Sequence, residues 1–292
     1  MKRIKKGECT PFLGAGACAK VLPLGAKIAE EWAAKNGYPL EDASDLARVS
    51  QFLAVTRDDA VSPKDDIVDL LKECAAPDFS SEAEPHDVLA ELPLPVYMTT
   101  NYDDFMVRAL RKRNREPQVE SCRWNPLVRQ KGTIFADPAY RPSVANPLVF
   151  HLHGQWDDVQ SMVLTEDDYL DFLVSLWSDG GEFGRSAQAA PLGLVPPVVQ
   201  EALTNASLLF IGYRLQDWDF RVLHRGLIAR LTPGMQRISV TVQMPAKGPS
   251  SALAMSYLTK YFETRMNVRV FWGTAEEFVA ELRRRWRDFA RT

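Results

Sequence analysis

The chain has 292 residues, 46% of them hydrophobic and 25% charged, with a formal net charge of -3. That is the balance of a folded globular protein, and its slightly acidic sign excludes non-specific nucleic-acid binding as the main activity. The four cysteines, Cys9, Cys18, Cys74 and Cys122, form no CxxC pair and have no histidine at a metal-ligand interval. Neither a disulfide scaffold nor a metal site is therefore expected, and a reducing cytoplasm fits best. No apolar run reaches membrane length, and the stretch after the basic opening MKRIKK is too short for a signal-peptide core.

In chain order, KGECTPFLGAGAC (Lys6 to Cys18) predicts a short strand entering a tight glycine turn, and the helical spacing of Ile28 and Trp32 predicts a helix ending at Asn36-Gly37. From about 40 to 92 the pattern stays helical, interrupted by the polar stretch TRDDAVSPKDD, and reads as a helical insertion. Val96 to Thr99 is a second strand; the cluster Thr100-Asn101-Tyr102-Asp103 ends it, and a helix starts at or just after Asp103. Residues Asn114 to Asn146 are irregular, with a short strand expected around Gly132 to Phe135. The apolar run Leu148 to His151 is a third strong strand.

Beyond it, Thr165 caps a helix with Asp168 at its third position, a variant of the capping box. A loop and helical segment, about 155–205, includes the glycine- and proline-rich GGEFGRSAQAAPLGLVPP and a helix in PVVQEALTNA. Leu208 to Gly212 is a buried strand followed by a polar turn with Asp217 and Asp219 and a further helix. RISVTVQM and VRVFW are two more strands, and AEEFVAELRRRWRDFA is a closing helix with a basic outer face, a solvated surface or a partner contact. Strands alternating with helices imply an α/β fold: a Rossmann-like parallel sheet covered by helices on both faces. No linker divides the chain, so 1–292 reads as one domain.

Three strand ends carry candidate chemistry. GAGACA, Gly14 to Ala19, fits a G-x-G-x-x-A phosphate turn, in which small residues admit a pyrophosphate and a following helix N-terminus favours its charge; a plain tight turn is the competing reading. TTNYDD would be a helix cap in isolation, and a lone histidine in HLHG a hydrogen-bonded core residue. In a parallel sheet, however, all three lie on the carboxyl edge, where ligands bind, so they converge on one crevice. Strand alternation sends His151 and His153 to the same side, and Gly154 frees the backbone for close approach of a ligand.

Taken in order, PFLGAGAC, MTTNYDDF, HLHG, LTEDDY and LLFIGYRLQDWDFRVL resemble the SIR2-like domains of bacterial defence proteins, distant relatives of the sirtuins, over roughly residues 10–225. The resemblance implies a Rossmann-like NAD-binding fold and cleavage of the bond between nicotinamide and ribose. It places Gly14, Ala15 and Gly16 at the NAD phosphates, Asn101 at the nicotinamide ribose, Asp103 at the nicotinamide carboxamide and Gly212 near the adenosine half. His153 matches the catalytic histidine of the His-Gly motif, and His151 is left as a packing residue. The zinc module of sirtuin deacylases, with its paired CxxC motifs, has no counterpart here.

The resulting expectation is an NAD+ glycohydrolase with no cofactor beyond NAD+ as substrate, acting as a toxic anti-phage effector. It implies a homo-oligomer or a defence-system partner protein that keeps the pocket silent, and nucleic-acid contact only through such a partner. Two rival readings are an NAD-dependent deacylase or ADP-ribosyltransferase, and a non-catalytic NAD or ADP-ribose sensor.

Overall fold

The computed structural model describes residues 1–179, 194–214, 221, 237–246, 248 and 250–291. The loop from Gly180, Asp217, Asp219 and the helix expected after them lie outside these residues.

Among the described residues, seven strands form one parallel sheet: β1 (Cys9–Leu13), β2 (Val96–Thr99), β3 (Gln118–Ser121), β4 (Leu148–His151), β5 (Ser207–Ile211), β6 (Ser239–Gln243) and β7 (Val268–Trp272), in the order β3-β4-β2-β1-β5-β6-β7. Side-chain alternation splits the core across the sheet. Phe12, Met98, Phe150 and Phe210 face one layer, packed on Val199, Leu203, Leu258, Phe262 and Phe172. Leu13, Tyr97, Val149 and Ile211 face the other, packed on Val88, Leu89, Met106, Leu110, Val279 and Leu282. A strand buried on both faces must be apolar throughout, which is why β1, β2 and β4 read as continuous apolar runs. The connection from β1 to β2 contains helices Gly25–Asn36, Leu46–Thr56, Ser62–Glu73 and Pro85–Glu91.

The chain leaves β1 in one direction for β2, β4 and β3, and in the other for β5, β6 and β7. The carboxyl ends of β1 and β5 thus flank the point where strand order reverses, the usual position of a ligand crevice in such sheets. Among the described residues, no helix is long and apolar enough to cross a membrane.

Five elements depart from the sequence reading. The strand expected near Gly132 is a 3-10 turn, Ile134–Ala136, while the edge strand β3 went unread because its sequence QVES is half exposed and carries no apolar run. The helix Ser251–Met266 was likewise unread, its apolar positions being weakly segregated. The glycine turn does not open directly into a helix: a 3-10 turn, Ala15–Ala17, follows it, and the helix begins only at Gly25, after Pro23. Proline restricts the residue before it and lacks an N–H, which delays the helix. Finally, β5 stops at Ile211, because Gly212 adopts a positive φ of 86°.

Candidate functional site

The expected convergence is present. The ends of β1, β2 and β4 are tied edge to edge: Thr100 N donates to Leu13 O (3.0 Å), and Leu152 N to Thr99 O (2.8 Å). On the other flank Gly14 N donates to Ile211 O and Gly16 N to Gly212 O, both at 2.9 Å.

The glycines of this crevice are small because protein backbone fills the space a side chain would need. A Cβ on Gly16 would stand 2.8 Å from Gly212 Cα, one on Gly14 would press on Gly212 O and the Tyr213 ring at 3.0 Å, and one on Gly212 would overlap Ala17 N and Gly14 O. Gly154 is similar: its φ is 82°, and a Cβ there would run into the Ser161 carbonyl. The space that the sequence reading gave to a ligand at Gly154 is therefore occupied by the loop at Ser161. In the turn itself, Gly14, Gly16, Ala17 and Cys18 all spend their N–H groups on backbone carbonyls, while Ala15 is exposed.

Asn101 is positioned from three sides. Its side-chain Nδ2 donates to Gly14 O (3.2 Å) and to Cys18 Sγ (3.3 Å), and its backbone N donates to Thr99 Oγ1 (2.9 Å). Its backbone oxygen accepts from His151 Nδ1 at 3.0 Å. The half-buried amide is thus fixed against the glycine turn, with no partner for Oδ1 among the described residues. Asp103 is 6% exposed, and both its oxygens are engaged: Oδ1 accepts from Phe105 N at the helix start, and Oδ2 from the Cys18 thiol. The helix N-cap is Asp104, which makes no side-chain cap hydrogen bond, so Asp103 holds the first helical N–H from the residue before the cap.

The two histidines do not share a neighbourhood. The strand ends at His151, and the turn Leu152-His153 breaks the alternation expected to align them. His151 is buried, bonded through Nδ1 to Asn101, and its Nε2 has no hydrogen-bond partner among the described residues. His153 turns to the other layer, edge-on to Tyr169 (5.4 Å) and Phe172 (5.2 Å). These rings project from the helix Glu166–Asp179, which carries the expected cap: Asp168 N donates to Thr165 Oγ1, and Thr165 N to Asp168 Oδ2. Burial holds the His151 pKa below its usual value, with the Asn101 hydrogen bond and nearby aspartates opposing; burial alone pushes His153 down to about 3.

Sequence reasoning missed several neighbours. Tyr213, at the end of β5, donates its hydroxyl to Leu13 O and hydrogen-bonds Thr100 Oγ1, both at 2.8 Å, bridging three strand ends. Cys18 lies near His86, whose other ring nitrogen is 2.6 Å from Glu84. Tyr213 stood in a quoted strand end and was findable by position. His86 and Glu84 lie in the helical insertion with no local signal of chemistry.

Comparison with known proteins bears on what this edge does. A family model described as SIR2-like domain matches residues 95–264, which takes in Asn101, Asp103, both histidines and Gly212 but not the glycine turn. A protein of Enterococcus faecium named NAD(+) hydrolase ThsA is 28% identical over 57% of this chain and 32% of its own length. Its namesakes from Cytobacillus dafuensis and Bacillus cereus (strain MSX-D12) are 26% and 25% identical, over 52% and 60% of this chain and 26% and 34% of theirs. The chain thus spans about a third or less of the length of the curated relatives it matches. A solved structure from work on the mechanism and regulation of Sir2 enzymes aligns over 99% of this chain and 100% of that one, at 15% identity and a TM-score of 0.38.

Proposed function

The chain belongs to the SIR2-like family, and from that premise we propose that it hydrolyses NAD+ at the bond between nicotinamide and ribose, giving nicotinamide and ADP-ribose. The observation that carries this reading is the fixing of Asn101 to Gly14 O at the sheet edge, which joins the ribose-facing amide to the glycine turn in one crevice. The names of the three relatives support the same activity.

The chemistry asks little of the protein. When the C1′–N1 bond breaks, its electron pair goes to nicotinamide, which leaves neutral and needs no general acid. Water then adds to C1′ and gives up a proton. The tasks are to hold the ribose, order one water and accept that proton. Asn101 serves the first two through Oδ1, and His153 the third. A histidine buried to a pKa of about 3 is neutral at physiological pH, so it is in the accepting form, although a weak base. Water adding to an oxocarbenium-like carbon tolerates a weak base. Gly14, Ala15 and Gly16 line the phosphate side, with the exposed Ala15 as their point of contact, and Gly212 stands at the adenosine side. Asp103, enclosed by Cys18 and Phe105, acts by positioning.

His153 under Tyr169 and Phe172 fits a silent state. We place the gate there: a second copy of the chain or a partner protein shifts the Glu166–Asp179 helix and uncovers the ring. An effector of phage defence in the cytoplasm is the biology this suits, and its cysteines, all free, fit a reducing compartment.

A second reading has its own observation. His151, through its bond to Asn101 O and its unpartnered Nε2, is the histidine directly linked to Asn101, which favours it as the base. The experiment is incubation with NAD+ alone, followed by chromatography, for the parent and for His153→Ala and His151→Ala. Free ADP-ribose made by the parent and lost in His153→Ala supports the first assignment, and loss only in a folded His151→Ala transfers the role. Saturable NAD+ binding without turnover, in every assembly state, would leave a sensor; turnover only with an acceptor macromolecule would leave a transferase or deacylase.

A further inference from the structure

Behind Asn101, three side chains from distant parts of the chain meet in the interior: Cys18 from the turn after β1, His86 from the Pro85–Glu91 helix, and Asp103 from the turn after β2. They are 2%, 1% and 6% exposed, and their ligand-type atoms all lie within 4.8 Å of one another. Cys18 Sγ is 3.7 Å from His86 Nε2 and 3.4 Å from Asp103 Oδ2. Ligands bound tetrahedrally to Zn2+ at about 2.0–2.3 Å stand roughly 3.3–3.6 Å apart. The two edges at Cys18 are therefore already close to those of such a tetrahedron, and the third, between His86 and Asp103, is within 4.8 Å and closes as both turn to one ion.

The surroundings are those of a metal ligand set. A carboxylate only accepts, so Glu84 Oε1, 2.6 Å from His86 Nδ1, draws a ring proton to Nδ1 and turns Nε2 towards Cys18. The other Glu84 oxygen accepts from Asp87 N, and Phe105 packs edge-on to the His86 ring, so the imidazole is held in place. This carboxylate-histidine pairing is the usual support of a metal-bound imidazole. Asp103 spends Oδ1 on Phe105 N and turns Oδ2 to the cluster. The Asn101 amide donates to Cys18 Sγ, as second-sphere donors do to a bound thiolate. Thiolate, carboxylate and neutral imidazole carry two negative charges, which a divalent cation neutralises.

We propose that Cys18, His86 and Asp103 bind one divalent metal ion, Zn2+ by ligand preference, with a water at the fourth position. On binding, the Cys18 S–H bond breaks, its proton leaves to solvent and the sulfur pair goes to the metal. The ion ties the glycine turn, the helical insertion and the Asn101 turn into one unit. It is unrelated to the CxxC module of deacylases, and no interval rule could find it, because the ligands lie far apart in sequence. It also departs from the sequence expectation of no metal.

The test needs no turnover. Protein purified with reductant and without chelator, and protein unfolded and refolded with Zn2+ or Co2+, is assayed for metal by mass spectrometry. About one ion per chain is expected, with a thiolate-to-cobalt charge-transfer band and the strong visible bands of four-coordinate Co2+. Cys18→Ser and His86→Ala should each lose the metal and the charge-transfer band. Chelation should lower the thermal midpoint of the parent but not of His86→Ala. Should His86→Ala fail to fold, Glu84→Gln, which keeps all three ligands, is expected to weaken binding about 10- to 100-fold. No stoichiometric metal after refolding with either ion, or Co2+ spectra unchanged in Cys18→Ser, overturns the site. Either result leaves the NAD+ reading where the chromatography puts it.

Discussion

Two histidines only two residues apart have become different chemical objects. His151 ends its strand, bonded to the backbone of Asn101 among aspartates, while His153, past the turn, lies against two aromatic rings of the opposite layer. The difference teaches that one side of the crevice is preassembled and the other closed. Asn101 is already fixed beside the glycine turn. His153 is covered by Tyr169 and Phe172 of the Glu166–Asp179 helix, which has to give way for it to take the proposed role. Under the proposed reaction, a site with one half built and the other covered is held silent at little cost.

The largest expected effects break this comparison at its chemical ends. Asn101→Ala and His153→Ala should each lower NAD+ turnover of the activated protein about 10²- to 10⁴-fold, with the fold intact by circular dichroism. If His153→Ala turns over near-normally while His151→Ala is folded and inactive, the preassembled side holds both groups and the closed side is only packing. Next come the backbone contacts. Gly154→Ala and Gly212→Ala place a Cβ into neighbouring backbone at positive φ, and each should cost at least about 1–3 kcal/mol in denaturant unfolding. Gly14→Val, pressed on Tyr213 and Gly212 O, should lower stability as well as NAD+ affinity, and loss of affinity alone would contradict the packing account.

Acid should then separate the two sides further. Burial depresses both folded histidine pKa values, whereas in the unfolded chain they titrate near 6.5. Between about 3 and 6.5 the unfolded state therefore binds more protons. Stability from this source is full above pH 7 and falls as pH drops through 6.5 towards 3. His153→Leu should flatten the slope of unfolding free energy against pH over that window. An unchanged slope would mean that His153 is not buried in solution.

Much of this was legible in the sequence for a simple reason. β1, β2 and β4 are buried on both faces, so apolar runs ending in polar clusters marked both the strands and the edge on which those ends meet. What was not legible depended on contacts made across long separations. β3 is an edge strand with one partner and needs no apolar run. The glycines were read as room for a ligand, yet Gly212 and Ser161 fill that room from 198 and 7 residues away, counted from Gly14 and Gly154. His86 carried no signal because Cys18 meets it from another element, and Glu84 reads as an ordinary cap of its own helix.

The smallest expected effect concerns the preassembled side alone. Tyr213 is half-buried; its hydroxyl donates to Leu13 O and accepts from Thr100 Oγ1, next to Asn101. Tyr213→Phe keeps the ring against Phe12 and Phe210 and removes those two bonds. A net hydrogen bond contributes about 0.5–1.5 kcal/mol, and water reaches this edge, so the stability loss should be about 1 kcal/mol. The informative readout is selective. Imidazole resonances of His151, bonded to Asn101 O, should shift, while those of His153, packed on the other layer, should stay in place. Equal shifts at both histidines would mean that the two sides move together, and that a gate acting on His153 would disturb Asn101 as well.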